Sequence, residues 1–509
     1  MLRLTLNLLL ALSLCAGFPV VPARAAAASS AGATPLRPGL PEPIRAALVR
    51  AHLDPQQLAL WVAPAEGGPP RLAHQPDRLV NPASLMKLVT STAALERLGP
   101  TFTWTTGIYL DGKLGADGVL DGSLIVQGHG DPKLVPEQLD RLLKQIRDRG
   151  VLRIRGDVVL DSSAFRIPGI DPGAFDGERF RPYNVRPDAL MLNWKAVTLM
   201  LRPEPEQRRA RVWLEPPLAG VHVPASVPLT PGDAGCGDWR EQLKADLSDP
   251  SRIRLTGSLA VRCGEKSWPI AYTDPASYNA RAFEAAWKAL GGQIDGRVRV
   301  SLTPAVPDGR TPWLEFSSPP LADVLRDMNK FSNNVIAHQV FLTLGLMQGG
   351  PEAGSWEAAR QVVTDVMRQR PGCGDGQLVL RGGSGLSREE RVTARCLGQI
   401  LQGGWVSPWM PELVSSLPLS GIEATARRTG GGPLSGRAHL KTGSLNEVSA
   451  IAGYLHGSRG QRWVIVAILN GAQVHGDDAR SVLEAVLRWT AELPTPAGPA
   501  QAAEPASAP

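Results

Sequence analysis

A serine hydroxyl and a lysine amine lie three residues apart in Asn81-Pro82-Ala83-Ser84-Leu85-Met86-Lys87, at the start of a run with helical periodicity. Asn81 suits a helix cap and Pro82 a first turn. Leu85, Leu88, Val89, Thr92, Leu95 and Leu98 then mark one face until Gly99-Pro100 ends the run. Positions i and i+3 share a helix face, so Ser84 and Lys87 come within hydrogen-bonding reach at a terminus that offers unpaired N–H groups and a partial positive charge. Chemically this is a nucleophile beside a base. A serine hydroxyl attacks poorly until a neighbour takes its proton, and lysine does so only as the neutral amine. Bringing an ammonium from about 10.4 to near 7 takes on the order of 4 kcal/mol, which burial and a second nearby cation supply together.

An isolated S-x-x-K pattern arises by chance in many chains of this length, and two further motifs give it meaning. Ser332-Asn333-Asn334 lies between two helical segments, and Lys441-Thr442-Gly443-Ser444 precedes two strand-like segments. Lys441 is the candidate second ammonium, Ser332 the candidate for passing a proton to a leaving amine, and Asn334 the candidate for holding Lys87 or a substrate amide. A strand carrying Lys441-Thr442-Gly443 can lay its edge beside an extended peptide. Gly443 then admits close backbone approach, and Lys441 and Thr442 face a terminal carboxylate. The N–H groups of Ser84 and Ser444 are the candidate oxyanion donors. The glycine-rich segment 381–388 reads either as a loop lining this cleft or as a tight turn before the next helix. Leu386 breaks the G-x-S-x-G pattern there, which excludes an α/β-hydrolase elbow.

Helical periodicity is clearest over 84–98, 134–149, 278–290, 320–329, 334–347, 355–369, 391–402 and 477–491. Strand patterns appear at 124–126, 158–160, 298–300, 448–455 and 463–469, the last two joined as a hairpin through 456–460. Between 102 and 275 the texture changes to short β-like runs broken by Gly, Pro and Asp. The expected organisation is therefore an α/β (α+β) domain built from 43–101 and 276–492, split by a β-rich insertion over 102–275 that forms one or two subdomains. Residues 26–42 read as a flexible lead-in and 493–509 as a disordered tail, both from their Pro, Ala and Ser content.

Arg3, the apolar run to Val21 and the small-x-small triplet Ala23-Arg24-Ala25 predict an export signal over 1–25, cleaved after Ala25. No other stretch approaches the roughly 18 apolar residues of a membrane span, so at most peripheral membrane contact is expected. The remaining cysteines, Cys236, Cys263, Cys373 and Cys396, are even in number and suit an oxidising compartment. Four cysteines allow three connectivities. The sequence-local pairs Cys236–Cys263 and Cys373–Cys396 are the expectation, each closing a loop worth about 3.5 kcal/mol in the chain-entropy account. Loss of Arg3 and Arg24 with the leader takes the formal charge from +6 to +4. The arginines are scattered rather than clustered with aromatic residues, so nucleic acid is not an expected partner. The eight histidines form no H-E-x-x-H or similar close pair, so no metal and no cofactor is expected. Asp131, in Gly130-Asp131-Pro132, reads as a turn brace.

The three motifs also occur in the order found in the serine penicilloyl-enzymes. Asn-Pro-Ala-Ser-Leu-Met-Lys-Leu at 81–88, Gly-His-Gly-Asp-Pro-Lys-Leu at 128–134, Met-Asn-Lys-Phe-Ser-Asn-Asn at 328–334, Gly-Gly-Ser-Gly-Leu-Ser at 382–387 and Leu-Lys-Thr-Gly-Ser at 440–444 carry a closer likeness. Over about 45–490 the chain resembles the class C low-molecular-mass penicillin-binding proteins, the penicillin-binding protein 4-type D-alanyl-D-alanine carboxypeptidases and endopeptidases. The long gap between Lys87 and Ser332 matches that class and separates the chain from class A β-lactamases. The resemblance implies a DD-peptidase-like domain with a central antiparallel sheet flanked by helices. It implies an acyl-ester serine at Ser84, a general-base lysine at Lys87, the S-x-N pair at Ser332 and Asn334, and the K-T-G motif at Lys441, Thr442 and Gly443. The substrate so implied is the D-Ala-D-Ala end of peptidoglycan stem peptides or the D-alanyl cross-link between them, in the periplasm, with β-lactams trapping the serine. At Gly382 the chain departs from the family, which usually has an acid there. A non-catalytic wall-binding homologue and a β-lactamase or esterase on the same scaffold are the alternatives. The balance of end-trimming and cross-link cleavage, and the oligomeric state, stay open.

Overall fold

Two strands near the beginning of the chain and three near its end make one sheet, whose three central strands carry apolar residues on both faces. In the computed structural model, which describes residues 39–494 apart from 170, 231–234, 349 and 351, these are β1 (Leu58–Pro64), β2 (Leu72–His74), β3 (Ala438–Leu445), β4 (Val448–His456) and β5 (Arg462–Asn470). Their order is β3-β4-β5-β1-β2, and every neighbouring pair is antiparallel. β1 pairs with β5 from Leu58↔Leu469 to Pro64↔Trp463, which joins the two ends of the domain. The expected leader, the lead-in up to residue 38 and the tail from residue 495 lie outside the described residues.

Side chains alternate across a strand, so each face of the sheet builds its own core. Ala59, Trp61, Ala450, Ala452, Val464 and Val466 point to one side. There they meet α2 (Met86–Arg97), α3 (Leu321–Lys330), α4 (Asn334–Met347), α5 (Trp356–Arg368) and α6 (Ala394–Trp405). Leu60, Val62, Leu440, Ile451, Ile465 and Ala467 point to the other side, under α1 (Glu42–Arg50) and α7 (Gly476–Ala491). The central antiparallel sheet flanked by helices is thus present. α4 is apolar almost all round and correspondingly buried over most of its length.

The inserted region holds a seven-stranded sheet and a five-stranded sheet around a separate core. Its end differs from the expected 275/276 boundary. Leu314–Ser317 pairs antiparallel with Thr105–Leu114, Val298–Ser301 pairs with Val158–Asp161, and helix Pro275–Ala289 buries Tyr278, Phe283 and Trp287 in the insertion's core. Residues 276 to about 318 therefore belong with the insertion, which returns to the peptidase domain only ahead of α3. Periodicity shows that this helix buries a face but not against which sheet, so the sequence pattern does not mark the boundary. Two disulfides, Cys236–Cys263 in the insertion and Cys373–Cys396 ahead of and within α6, join the sequence-local pairs.

Candidate active site

Ser84 lies in a 3-10 turn, Ala83–Leu85, that leads into α2, rather than in the first α-helical turn. Asn81 holds the approach: its side-chain oxygen accepts the Ala83 N–H at 2.9 Å, and its amide donates to Ser387 O at 2.9 Å. Crowding accounts for the tight turn. A Cβ added to Gly443 would lie 2.7 Å from Pro82 O and 3.3 Å from Ser84 N, and one added to Gly385 would lie 1.9 Å from Ala83 O. The edge strand β3 and the 382–387 loop therefore clamp the nucleophile's backbone from two sides, and both contacts require glycine.

Lys87 is completely buried one turn further on. Its Nζ donates to Asn334 Oδ1 at 2.7 Å and to Ser384 O at 2.6 Å, and lies 3.2 Å from Ser84 Oγ. The two short partners can only accept, so a neutral amine directs both N–H bonds at them and its lone pair at the Ser84 hydroxyl. Asn334 is oriented from its other end, where Nδ2 donates to Tyr183 O at 3.3 Å. Burial drives the Lys87 ammonium well below the ordinary lysine value and the charge of Lys441 adds to this, while Glu390 opposes it.

Lys441 is equally buried, and burial brings it down to about 7. Its Nζ donates to Ser332 Oγ at 3.0 Å and to Thr442 O at 2.8 Å. Ser332 stands between α3 and α4 with φ 55, a left-handed conformation unusual outside glycine. Asn333 caps α4 by accepting the Ile336 N–H at 3.0 Å. Backbone strain at such a position persists only where its surroundings impose it, and here it puts the Ser332 hydroxyl against the second lysine. β3 ends its sheet; segment 418–420 bonds its first half, up to Leu440, and beyond that Thr442, Gly443 and Ser444 face a cleft of about 1050 Å³ that Ser84, Ser332 and Asn334 also line.

A family model described as the D-Ala-D-Ala carboxypeptidase 3 (S13) family matches residues 41–493. The chain belongs to the S13 family. It is accordingly a hydrolase of the D-Ala-D-Ala carboxypeptidase type. Its relatives include D-alanyl-D-alanine carboxypeptidase DacB of Haemophilus influenzae, 29% identical over 76% of this chain and 80% of that one. The D-alanyl-D-alanine carboxypeptidase of Actinomadura sp. strain R39 is 28% identical over 75% of this chain and 71% of its own. Among solved structures, penicillin binding protein 4 from Haemophilus influenzae superposes with a TM-score of 0.69 at 23% identity, covering 88% of this chain and 99% of that one, which shows a shared fold. The same protein complexed with a novel β-lactam gives a TM-score of 0.64 at 24% identity.

In this S13 peptidase all five catalytic candidates, Ser84, Lys87, Ser332, Asn334 and Lys441, come together, although their three motifs lie on the order of a hundred residues or more apart in the chain. Asp131 does not join them. It is buried, accepts the Lys133 N–H at 2.7 Å as a turn brace does, and burial pushes its carboxyl up to about 7. Sequence reasoning missed Glu390. Its Oε1 accepts the N–H groups of Arg381, Gly382 and Gly383 at 3.1, 3.0 and 2.9 Å, and its Oε2 that of Gly385 at 2.9 Å. One buried carboxylate thus holds the whole glycine loop whose Ser384 carbonyl binds Lys87. Its only signal in the sequence is an acid shortly after a glycine-rich run, which is too common to single out. Gly382, where the family usually has an acid, lies against His338: a Cβ there would meet the ring nitrogen at 3.3 Å. Also missed were Asp176 and Tyr183 from the insertion, which line the cleft together with Arg388 of the 381–388 loop.

Proposed function

We propose that Ser84 is the acyl-enzyme nucleophile of a DD-carboxypeptidase, a DD-endopeptidase or both, acting on peptidoglycan stem peptides in the periplasm, and that β-lactams acylate the same hydroxyl. One observation carries the reading: a fully buried Lys87 lies 3.2 Å from Ser84 Oγ while its two shorter hydrogen bonds go to pure acceptors, so that as a neutral amine it has its lone pair for the hydroxyl. Lys87 takes the Ser84 proton as Oγ bonds to the carbonyl carbon of the penultimate D-Ala. The tetrahedral oxyanion sits between the N–H groups of Ser84 and Ser444. As the C–N bond breaks, Ser332 gives its proton to the departing amine and is reprotonated from the lysine pair. Water then attacks the ester, giving its proton to Lys87, and Ser84 Oγ leaves with a proton restored. Thr442 meets the substrate's terminal carboxylate along the edge of β3, while Lys441, expected to face it as well, is fully buried and bonded to Ser332. Gly443 keeps that edge close to Ser84, as the 2.7 Å clash of an added Cβ with Pro82 O requires. Export is supported by the leader pattern, by two disulfides and by relatives named as D-alanyl-D-alanine carboxypeptidases. Among the described residues no helix is long and apolar enough to cross a membrane.

The test is labelling with a fluorescent penicillin, followed by digestion of purified peptidoglycan with products separated into free D-Ala and split dimers. The wild type labels and releases one or both products, and Ser84→Ala does neither. A Ser84→Ala protein that still labels, or a labelled wild type that leaves both peptidoglycan and D-Ala-D-Ala peptides intact, overturns the assignment.

A further inference from the structure

A second cavity of about 420 Å³ opens beside the catalytic cleft, and Tyr183, Phe331, Ser332 and Asn334 line both. Its far wall comes from the insertion: Trp194, Trp268 and the exposed Arg240. The aromatic side chains are held rather than loose. Trp268 projects from strand Lys266–Ala271 and packs edge-on against Trp239 at 5.8 Å, while the Arg240 guanidinium lies 5.7 Å from the Trp268 ring centre. Trp194 donates its Nε1–H to Pro132 O at 2.9 Å. It sits in a run of three non-glycine residues with left-handed backbones, Asn193 (φ 40), Trp194 (φ 51) and Lys195 (φ 48). Such a run is costly and is kept only where the surrounding structure imposes it. Opposite it, Phe331 presents a ring that is 68% exposed. This largely exposed ring lies one residue from Ser332 and lines both cavities, where it offers an apolar surface to a bound molecule.

We propose that this cavity is a saccharide subsite that takes a pyranose ring of the glycan strand to which the stem peptide is joined. The inference rests on the peptidoglycan reading above. A pyranose is amphipathic: one face is a plate of C–H groups and the rim is hydroxyl and amide. Fixed aromatic rings match the plate, with their electron-rich faces turned to weakly polarised C–H bonds. Arg240, exposed on the same rim, matches the hydroxyl and N-acetyl oxygens. The volume is that of a small-molecule site rather than a macromolecular groove. Because the two cavities share four residues, a substrate whose peptide lies along β3 carries its sugar end into reach of the second. The insertion would thereby select stem peptides still attached to glycan.

The experiment compares kcat/KM for release of D-Ala from a disaccharide-linked pentapeptide and from the same pentapeptide without sugar. The wild type prefers the sugar-linked substrate, and the ratio falls about tenfold in Trp268→Leu and in Arg240→Ala, as loss of one stacking or charge-assisted contact gives. Arg240→Ala changes an exposed side chain, so it decides the matter even if Trp268→Leu folds poorly. Equal kcat/KM on the two substrates in the wild type, or a preference that both variants keep, overturns the subsite. So does an equal gain from a bare peptide lengthened at its N-terminus, which would assign the cavity to peptide. If the wild type releases D-Ala from neither substrate and Ser84 takes no penicillin, it is the peptidase reading that fails, and the two failures are distinct.

Discussion

Glu390 offers the sharpest test of how the site is held, because its carboxylate has two separable effects. As a brace it accepts four backbone N–H groups of the 381–385 loop, and as a charge it raises the proton affinity of Lys87. Glu390→Gln keeps the shape, weakens the brace and removes the charge. An amide has one carbonyl oxygen, so its NH₂ must face either the three donors on Oε1 or the single Gly385 donor on Oε2. The milder orientation leaves the Gly385 N–H unsatisfied and strips charge assistance from the other three bonds. Together these come to about 2–4 kcal/mol. Gly385 is the residue pressed against Ala83 and the Ser84 amide, and Ser384 O is bound to Lys87. Loosening of the loop by about 1 Å thus misplaces nucleophile and base together and slows acylation on the order of a hundredfold. The pH dependence separates the effects. Without the acid, Lys87 gives up its proton more readily, so the acid limb of the acylation rate moves to lower pH even as the maximum rate falls. The assay is the second-order rate of labelling by fluorescent penicillin across pH 4 to 9. An acid limb that stays or moves up, or a rate within twofold of the wild type, refutes the account.

Gly443→Ala places a Cβ within 2.7 Å of Pro82 O, a backbone atom that cannot swing away. Penicillin labelling should fall on the order of a hundredfold with little change in unfolding midpoint. Lys441 is held at about 7 against an unfolded value of 10.5. Unfolding therefore takes up a proton between those values, and stability rises with pH across that window and is level below it. Lys441→Met, which removes the buried amine, should stabilise the protein by about 2–3 kcal/mol more at pH 6 than at pH 9, read from denaturant unfolding at each pH. Replacing Cys373 and Cys396 together by Ala opens a 23-residue loop. It should lower stability by about 3.5 kcal/mol, and an unchanged denaturation midpoint would count against the chain-entropy origin of that term.

The chemistry was legible because each reacting group sits in a short motif whose spacing is a local matter. Ser84 with Lys87 is one helix turn, Ser332 with Asn334 one inter-helix turn, and Lys441 to Ser444 one strand. The nearby cysteine pairs were legible on the same ground, and so was the hairpin of β4 and β5. What escaped depends on contacts distant in sequence. The 3-10 turn at Ser84 is forced by Gly443 and Gly385, which no pattern near residue 84 announces. Glu390 matters only because the loop before it folds its N–H groups inward. The insertion's boundary moved because the helix holding Tyr278, Phe283 and Trp287 has the same amphipathic pattern whichever sheet it covers. Strand Leu314–Ser317 is too short for its alternation to be noticed.

The pairing of β1 with β5 has a consequence for when activity can first exist. Leu58 has no partner in its sheet until Leu469 arrives, and the edge that carries Lys441 is laid down only on strands that join through β5. A chain emerging from its N-terminus can fold the insertion around its own core while the peptidase sheet still waits for its last three strands. Until then Lys87 lacks the buried neighbour that helps lower its proton affinity, and Ser84 is an ordinary alcohol. A nascent chain, or one truncated before these strands, is therefore unreactive, and reactivity toward penicillin reports that the first and last strands have met.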